Sequence, residues 1–156
     1  MIVFATGEGD AWTVRLVTAS AAGPGPETMV GATVRSFHLF DAVATAVVSV
    51  RDHDSKSDIT YRNLDTVNVV SLGVASQESP AGAFGGGAWL VTWSERRGEL
   101  WEIRAQRFAM YGQPVGPPLA IPSSTEDQQD PSIEFNGDTF LLTWTERRRG
   151  IRGDTP

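Results

Sequence analysis

The chain contains no cysteine, which removes disulfides, thiolate catalysis and cysteine-based zinc sites together. Lysine is nearly absent: the 13 basic residues are twelve arginines and Lys56. Acidic residues outnumber them at 19, for a formal net charge of −6 and a pI near 4.8. That balance works against sequence-independent nucleic-acid binding, which needs a basic face to displace counterions. Long apolar runs are missing too; Ala42 to Val50 has about half of the ~20 residues a membrane helix requires. The start, Met1-Ile2-Val3-Phe4, has no basic n-region of a signal peptide, and Glu8 and Asp10 follow at once. Only two histidines occur, His38 and His53, in unrelated contexts. No Gly-x-Ser-x-Gly elbow, phosphate-cradling glycine loop or zinc-helix motif is present, and no motif calls for a cofactor. Tyr61, Tyr111, Glu134 and Asp138 are residue types that glycosidases use, but no spacing pairs them.

What the chain does have is a repeat. Gln77, Pro80, Phe84, Gly86, Leu90, Thr92, Trp93, Glu95, Arg96 and Arg97 recur 51 residues later as Gln128, Pro131, Phe135, Gly137, Leu141, Thr143, Trp144, Glu146, Arg147 and Arg148. Those are 10 identities in the 22 positions from Ser76 to Arg97, without a gap. A period near fifty residues marks an array in which no unit can bury its apolar face alone. Weaker copies lie upstream. A shift of 89 residues lays Phe4 on Trp93, Trp12 on Trp101 and Val14 on Ile103, and Val47-Val48-Ser49-Val50 falls on Leu90-Val91-Thr92-Trp93. The anchor positions are then Phe4, Val50, Trp93 and Trp144, and the approximate units are 1–27, 28–79, 80–130 and 131–156.

Each unit reads as up to four strands. Sixteen glycines and nine prolines fall between short β-like runs, which favours turns over helices. Ala88 to Glu95 is apolar on both faces near its middle, as a central strand is. A short strand around Pro80 to Phe84 precedes it through the glycines 85–87. In the next copy that joint is Asn136-Gly137, a favoured two-residue hairpin turn. Leu100 to Phe108 alternates with a period of two, and Leu119 to Ile121, flanked by Pro117, Pro118 and Pro122, reads as an outer edge strand. Four antiparallel strands per unit is the blade of a β-propeller. The competing architecture is a β-sandwich of consecutive hairpins, which does not usually repeat residue by residue. The fold class expected is all-β, about three propeller blades and part of a fourth.

The run Trp89-Leu-Val-Thr-Trp93, Ile103-Arg-Ala-Gln-Arg107-Phe108, Gly112-Gln-Pro-Val-Gly116-Pro117 and Asp127-Gln-Gln-Asp-Pro131 resembles β-propeller repeats of large bacterial secreted or surface proteins. It covers Pro80 to Gly150 well and Met1 to Ser79 loosely. The resemblance implies a bladed fold and an extracellular or cell-surface setting, with structural or binding roles more often than active sites. It implies no substrate. The first unit reads as lacking its innermost strand, and the last stops at Pro156 before its third. Propellers have four to eight blades, so the expectation is either a stretch of a larger protein or a circle completed by several chains, with open blade edges as a route to self-association.

Two surfaces are candidates for binding. Trp93 and Trp144 read as packing between neighbouring blades, against the alternative of aromatic sugar platforms. Trp101 follows a turn closely enough to be exposed. The Glu-Arg-Arg turns place Arg96, Arg97, Arg147, Arg148 and Arg149 on one rim with 123–127, where guanidinium groups could hold a carboxylate or sulfate of a glycan or protein. The competing reading is a solvated turn whose arginines pair with Glu95, Glu146, Glu126 and Asp127. Asp52, Asp54 and Asp58 have the spacing of a calcium loop, with Lys56 and Ser57 as departures from it; the alternative is a polar hairpin. Arg152-Gly153-Asp154 matches an adhesive tripeptide by coincidence of composition. The function expected is a non-enzymatic scaffold or binding module meeting ligands at the arginine rim. Its alternatives are part of a propeller-type glycoside hydrolase and a lectin completed by oligomerisation.

Overall fold

The computed structural model describes residues 2–8, 11–20, 23–34, 36–41, 45–53, 56–63, 69–72, 75–121 and 125–147, with side chains for Leu72, 75–121 and 125–147. Among them every regular element is a strand. β1 (Ile2–Glu8), β2 (Ala11–Ser20) and β3 (Gly23–Val34) form one sheet. β4 (Ser36–Asp41), β5 (Thr45–His53), β6 (Lys56–Asn63) and β7 (Val69–Ser71) form a second. β8 (Gln77–Gly85), β9 (Ala88–Arg97), β10 (Leu100–Ala109) and β11 (Leu119–Ala120) form a third. β12 (Asp127–Phe135) and β13 (Phe140–Arg147) pair as a fourth. Each strand pairs antiparallel with the next in sequence, so every sheet is a simple meander. The described residues are all-β; the second and third sheets are blade-like four-stranded units, as the repeat predicts, while the first has three strands and the fourth two among the described residues. The sheets run over 2–34, 36–71, 77–120 and 127–147, so the unit limits drawn at 27/28, 79/80 and 130/131 fall inside β3, β8 and β12.

The backbone register tests the weaker alignments. Glu8 pairs with Ala11 as Arg97 pairs with Leu100, and β2 maps onto β10 along its whole length at the shift of 89. In the second sheet His53 pairs with Lys56, which sets the shift to 44 residues rather than 43. Ser49, and not Val50, therefore stands in the row of Trp93. Val50 pairs with Ile59 as Ser94 pairs with Ile103. The pairing of His53 with Lys56 fixes this register, whereas the apolar run Val47 to Val50 carries no phase of its own. A slip of one residue exchanges the two faces of a strand.

Among the residues whose side chains are described, the core sits around β9. Trp89, Val91 and Trp93 lie on one face and Ala88, Thr92 and Ser94 on the other, all buried. Cross-strand partners share a face. Trp89 is thus backed by Phe108, and Ser94 by Ile103, both fully buried. On one side β8 packs against β4, β5 and β6; on the other side β12 packs against β8, β9 and β10. Neighbouring sheets are therefore stacked. Phe135 rests on Gly85 so closely that a Cβ there would overlap the ring.

The 51-residue period is visible in three dimensions. Phe84 and Trp89 have ring centroids 5.0 Å apart, and their counterparts Phe135 and Phe140 are also 5.0 Å apart. A β-bulge interrupts β8 between Glu78 and Ala81 and β12 between Gln129 and Ser132. Within these bulges the equivalent residues Ser79 and Asp130 adopt φ of 51° and 53°. Each is followed by a buried proline, Pro80 or Pro131.

Two expectations are corrected. Gly86 and Gly87, with φ of 55° and 74°, form the β8–β9 turn in the primed geometry that suits twisted hairpins. In β12–β13 the turn is centred on Gly137-Asp138, one residue later than Asn136-Gly137. Asn136 N donates to Thr139 O at 3.1 Å. The Asn136 side chain instead caps the turn, its Oδ1 accepting from the backbone of Asp138 and Thr139 at 3.0 and 2.9 Å. The second correction concerns the tryptophans. Trp93 is fully buried, but Trp144 is 39% exposed. β9 is flanked by β8 and β10, whereas β13 pairs with β12 alone among the described residues. Trp144 therefore lacks the flank that Arg104 and Gln106 of β10 give Trp93.

Candidate functional site

The start of β8, the end of β9, the start of β10 and the start of β12 meet at one rim. Within the third sheet antiparallel pairing sets Gln77 opposite Glu95 and Trp101 opposite Arg96; the hydrogen bond of Trp101 N to Asp127 Oδ1 brings in the start of β12, where Asp127 faces Arg147. Arg96, Arg97 and Arg147 are exposed there, and Trp101 is half-buried. The rim also carries Glu99, Glu102, Glu126 and Glu146, so it is mixed in charge rather than uniformly basic. Arg148, Arg149 and residues 123–124 of the expected surface lie outside the described residues.

Beneath the rim is a buried carboxylate. The Glu95 side chain is 8% exposed and is surrounded by donors from three strands. Gln77 Nε2 donates to its Oε2 at 3.1 Å, and Trp93 Nε1 donates to the same oxygen at 3.4 Å. Arg97 Nε lies 3.5 Å from Oε1, and Arg104 Nε lies 3.9 Å from it. Burying a charge is tolerable only with such partners. The cluster locks the strand ends together and holds one guanidinium of the arginine turn. Arg96 is oriented differently: its Nε donates to Gly98 O at 3.3 Å, and its backbone N donates to Ser76 O at 2.8 Å.

The start of β12 reaches back to the third sheet. Asp127 Oδ1 accepts from Trp101 N at 3.0 Å, and the buried Gln128 Oε1 accepts from Ile103 N at 3.5 Å. Farther along the inner strands, Ser79 Oγ donates to Asp130 Oδ1 at 2.8 Å, joining the two bulges directly. At the opposite end of β10, the buried Gln106 amide donates to the carbonyls of Arg107, Val115 and Gly116 at 2.8, 3.4 and 3.1 Å. It ties down the connection that leads to β11.

Arg96, Arg97, Arg147 and Trp101, all candidates from the sequence, lie on one rim. In the sequence Glu95 reads only as a surface partner for arginine, Gln77 and Gln128 only as repeat identities, and Ser79 and Asp130 carry no role. A signal for Gln77 was available: the glutamine recurs unchanged as Gln128, and an invariant polar residue inside a strand marks a buried hydrogen-bonding role. Of the acidic stretch, Asp52 and Asp58 belong to β5 and β6, with Asp52 paired to Ser57 and Arg51 to Asp58. Asp54 lies outside the described residues. Among the described residues no three acidic or histidine side chains converge as a metal site, and no helix is long and apolar enough to cross a membrane.

No protein-family model matches the chain, and no curated protein matches it. Among solved structures, a thermostable family-43 glycoside hydrolase superposes with a TM-score of 0.47 at 10% identity, over 92% of this chain. The matched part is 64% of that protein's own length.

Proposed function

We propose that the chain is a non-enzymatic scaffold of stacked blades that binds an external glycan or protein at the rim of Arg96, Arg97, Trp101 and Arg147, with Arg148 following in sequence. The supporting observation is the 3.0 Å hydrogen bond from Trp101 N to Asp127 Oδ1. It fixes the strand that carries Trp101 to the next sheet, while Arg96 and Arg97 next to it stay exposed. Planar guanidinium groups suit bidentate pairing with carboxylate or sulfate, and the indole offers an apolar face beside them. The carboxylates interspersed on the rim favour a ligand with a few placed anionic groups over a uniformly anionic polymer.

Glycan and peptide arrays probed with the wild type and with Arg96→Ala/Arg97→Ala/Arg147→Ala at low and high salt test this. Binding should weaken with salt, as exposed charge pairs do, and fall roughly tenfold or more in the variant. Binding that ignores both salt and the substitutions rejects the rim. Turnover of chromogenic glycosides by the wild type would replace the scaffold with an enzyme.

A further inference from the structure

The hairpin tip that joins β12 to β13 carries a reactive pair of residues. Asn136 is followed by glycine, whereas the other two asparagines, Asn63 and Asn68, precede Leu64 and Val69. Asn136, Gly137, Asp138 and Thr139 are all exposed. Gly137 has φ of 103°, the conformation of the first central residue of a type II′ turn. Apart from its chain neighbours, no atom lies within 4 Å of where a Gly137 Cβ would stand, so nothing else shields the turn. Asn136 Oδ1 accepts from Asp138 N at 3.0 Å, Thr139 N at 2.9 Å and Thr139 Oγ1 at 3.5 Å. Asn136 N donates to Thr139 O at 3.1 Å. These bonds leave the Gly137 N–H out. They also aim donors at the oxygen that turns negative when a nucleophile adds to the amide carbon.

We propose that Asn136 is a self-modification site, where the folded chain converts the side-chain amide to aspartate and isoaspartate with water as co-reactant. Gly137 N gives its proton to solvent base, and its electron pair forms a bond to Asn136 Cγ. The carbonyl pair moves onto Oδ1, where the N–H groups of Asp138 and Thr139 stabilise it. Collapse breaks Cγ–Nδ2, and Nδ2 takes up a proton and leaves as ammonia. Water then opens the cyclic imide. Opening at Cγ leaves an ordinary aspartate; opening at the Asn136 main-chain carbonyl routes the main chain through Cγ. Nothing is oxidised or reduced. Nucleophile and amide are held in one molecule, and glycine has no side chain to obstruct the attack. Leu64 and Val69 do obstruct it at Asn63 and Asn68. The aspartate product keeps an oxygen for the turn cap. The isoaspartate lengthens the main chain of the turn and takes the carboxylate off the cap, beside Asp138.

Peptide mapping by mass spectrometry, with aspartyl and isoaspartyl peptides separated, tests this on the whole chain incubated in mildly alkaline native buffer. Asn136 should convert ahead of Asn63 and Asn68, at a rate that rises with pH because the attacking amide must lose its proton. Gly137→Ala should slow the conversion roughly tenfold or more. That substitution strains a positive-φ position, so a parallel incubation of the wild type in urea supplies a second measurement. Conversion should be at least as fast in the folded chain, since unfolding disperses the donors around Oδ1. An Asn136 that stays intact, or that converts faster in urea than in native buffer, overturns the proposal. So does a folded Gly137→Ala variant that converts at the wild-type rate.

Discussion

Glu95 carries more structural consequence than any exposed residue of the rim. Its carboxylate receives Gln77 and Trp93 and compensates Arg104, whose side chain is only 15% exposed. Arg104 Nε makes no hydrogen bond among the described residues, so Glu95 is its nearest compensation. Glu95→Ala removes the acceptor from two buried donors and leaves a largely buried guanidinium unmatched. Arg97, 53% exposed, adds little because solvent screens it. We expect a loss of about 3 kcal/mol in urea unfolding followed by tryptophan fluorescence. Glu95→Gln keeps an acceptor in place and should cost about half as much. Equal losses in the two variants would mean that the charge, and not the hydrogen bonds, is what holds the cluster.

Strands β8 and β9 approach their neighbours through a residue with no side chain. Gly85 lies under the Phe135 ring, and its counterpart in the next sheet is the exposed Asn136. Gly85→Ala should therefore destabilise by roughly 1–3 kcal/mol through overpacking, whereas Asn136→Ala should lose only its turn cap. Thermal unfolding of the two variants side by side separates these effects; an unperturbed Gly85→Ala melting curve would contradict the packing. At this scale the sequence was highly legible. The starts of β9 and β10 and the outer position of β11 follow from alternation and turn residues, and the match of β1–β2 to β9–β10 from the 89-residue shift; β9 runs on to Arg97, two residues past the expected Glu95, because Arg96 and Arg97 pair with Trp101 and Leu100. The phase of β5 did not, because Val47, Val48 and Val50 satisfy either face and only the pairing of His53 with Lys56 decides between them. The exposure of Trp144 was hidden for another reason. Identical letters give a strand the same preferences, but burial depends on what lies beside it, and β13 has only one described neighbour. The arginine rim was legible because turns two strands apart must share an end of the sheet. The buried carboxylate below it was not, since Glu in a Glu-Arg-Arg turn reads as solvated.

At the scale of the molecule, the third and fourth sheets are held together by side chains as well as by packing. The pair Ser79–Asp130 bridges the first strands of the third and fourth sheets at positions where a non-glycine residue sits at positive φ. A double-mutant cycle with Ser79→Ala and Asp130→Ala should give a coupling of about 0.5–1.5 kcal/mol. Additive single effects would show that the two bulges are independent. The contacts of Asp127 and Gln128 have a different bearing. Ile121 N donates to Ile103 O at 3.1 Å, so Ile103 and its alternate Trp101 turn their amides toward the outer margin of the sheet. β11 is too short to receive them, since it pairs only with Arg104 and Ala105. The carboxylate and amide oxygens of the following unit accept these two protons in place of the missing backbone. The third sheet is thus finished by the fourth. The outermost strand can shrink to a remnant without stranding polar groups, provided the next layer is present to lend its oxygens.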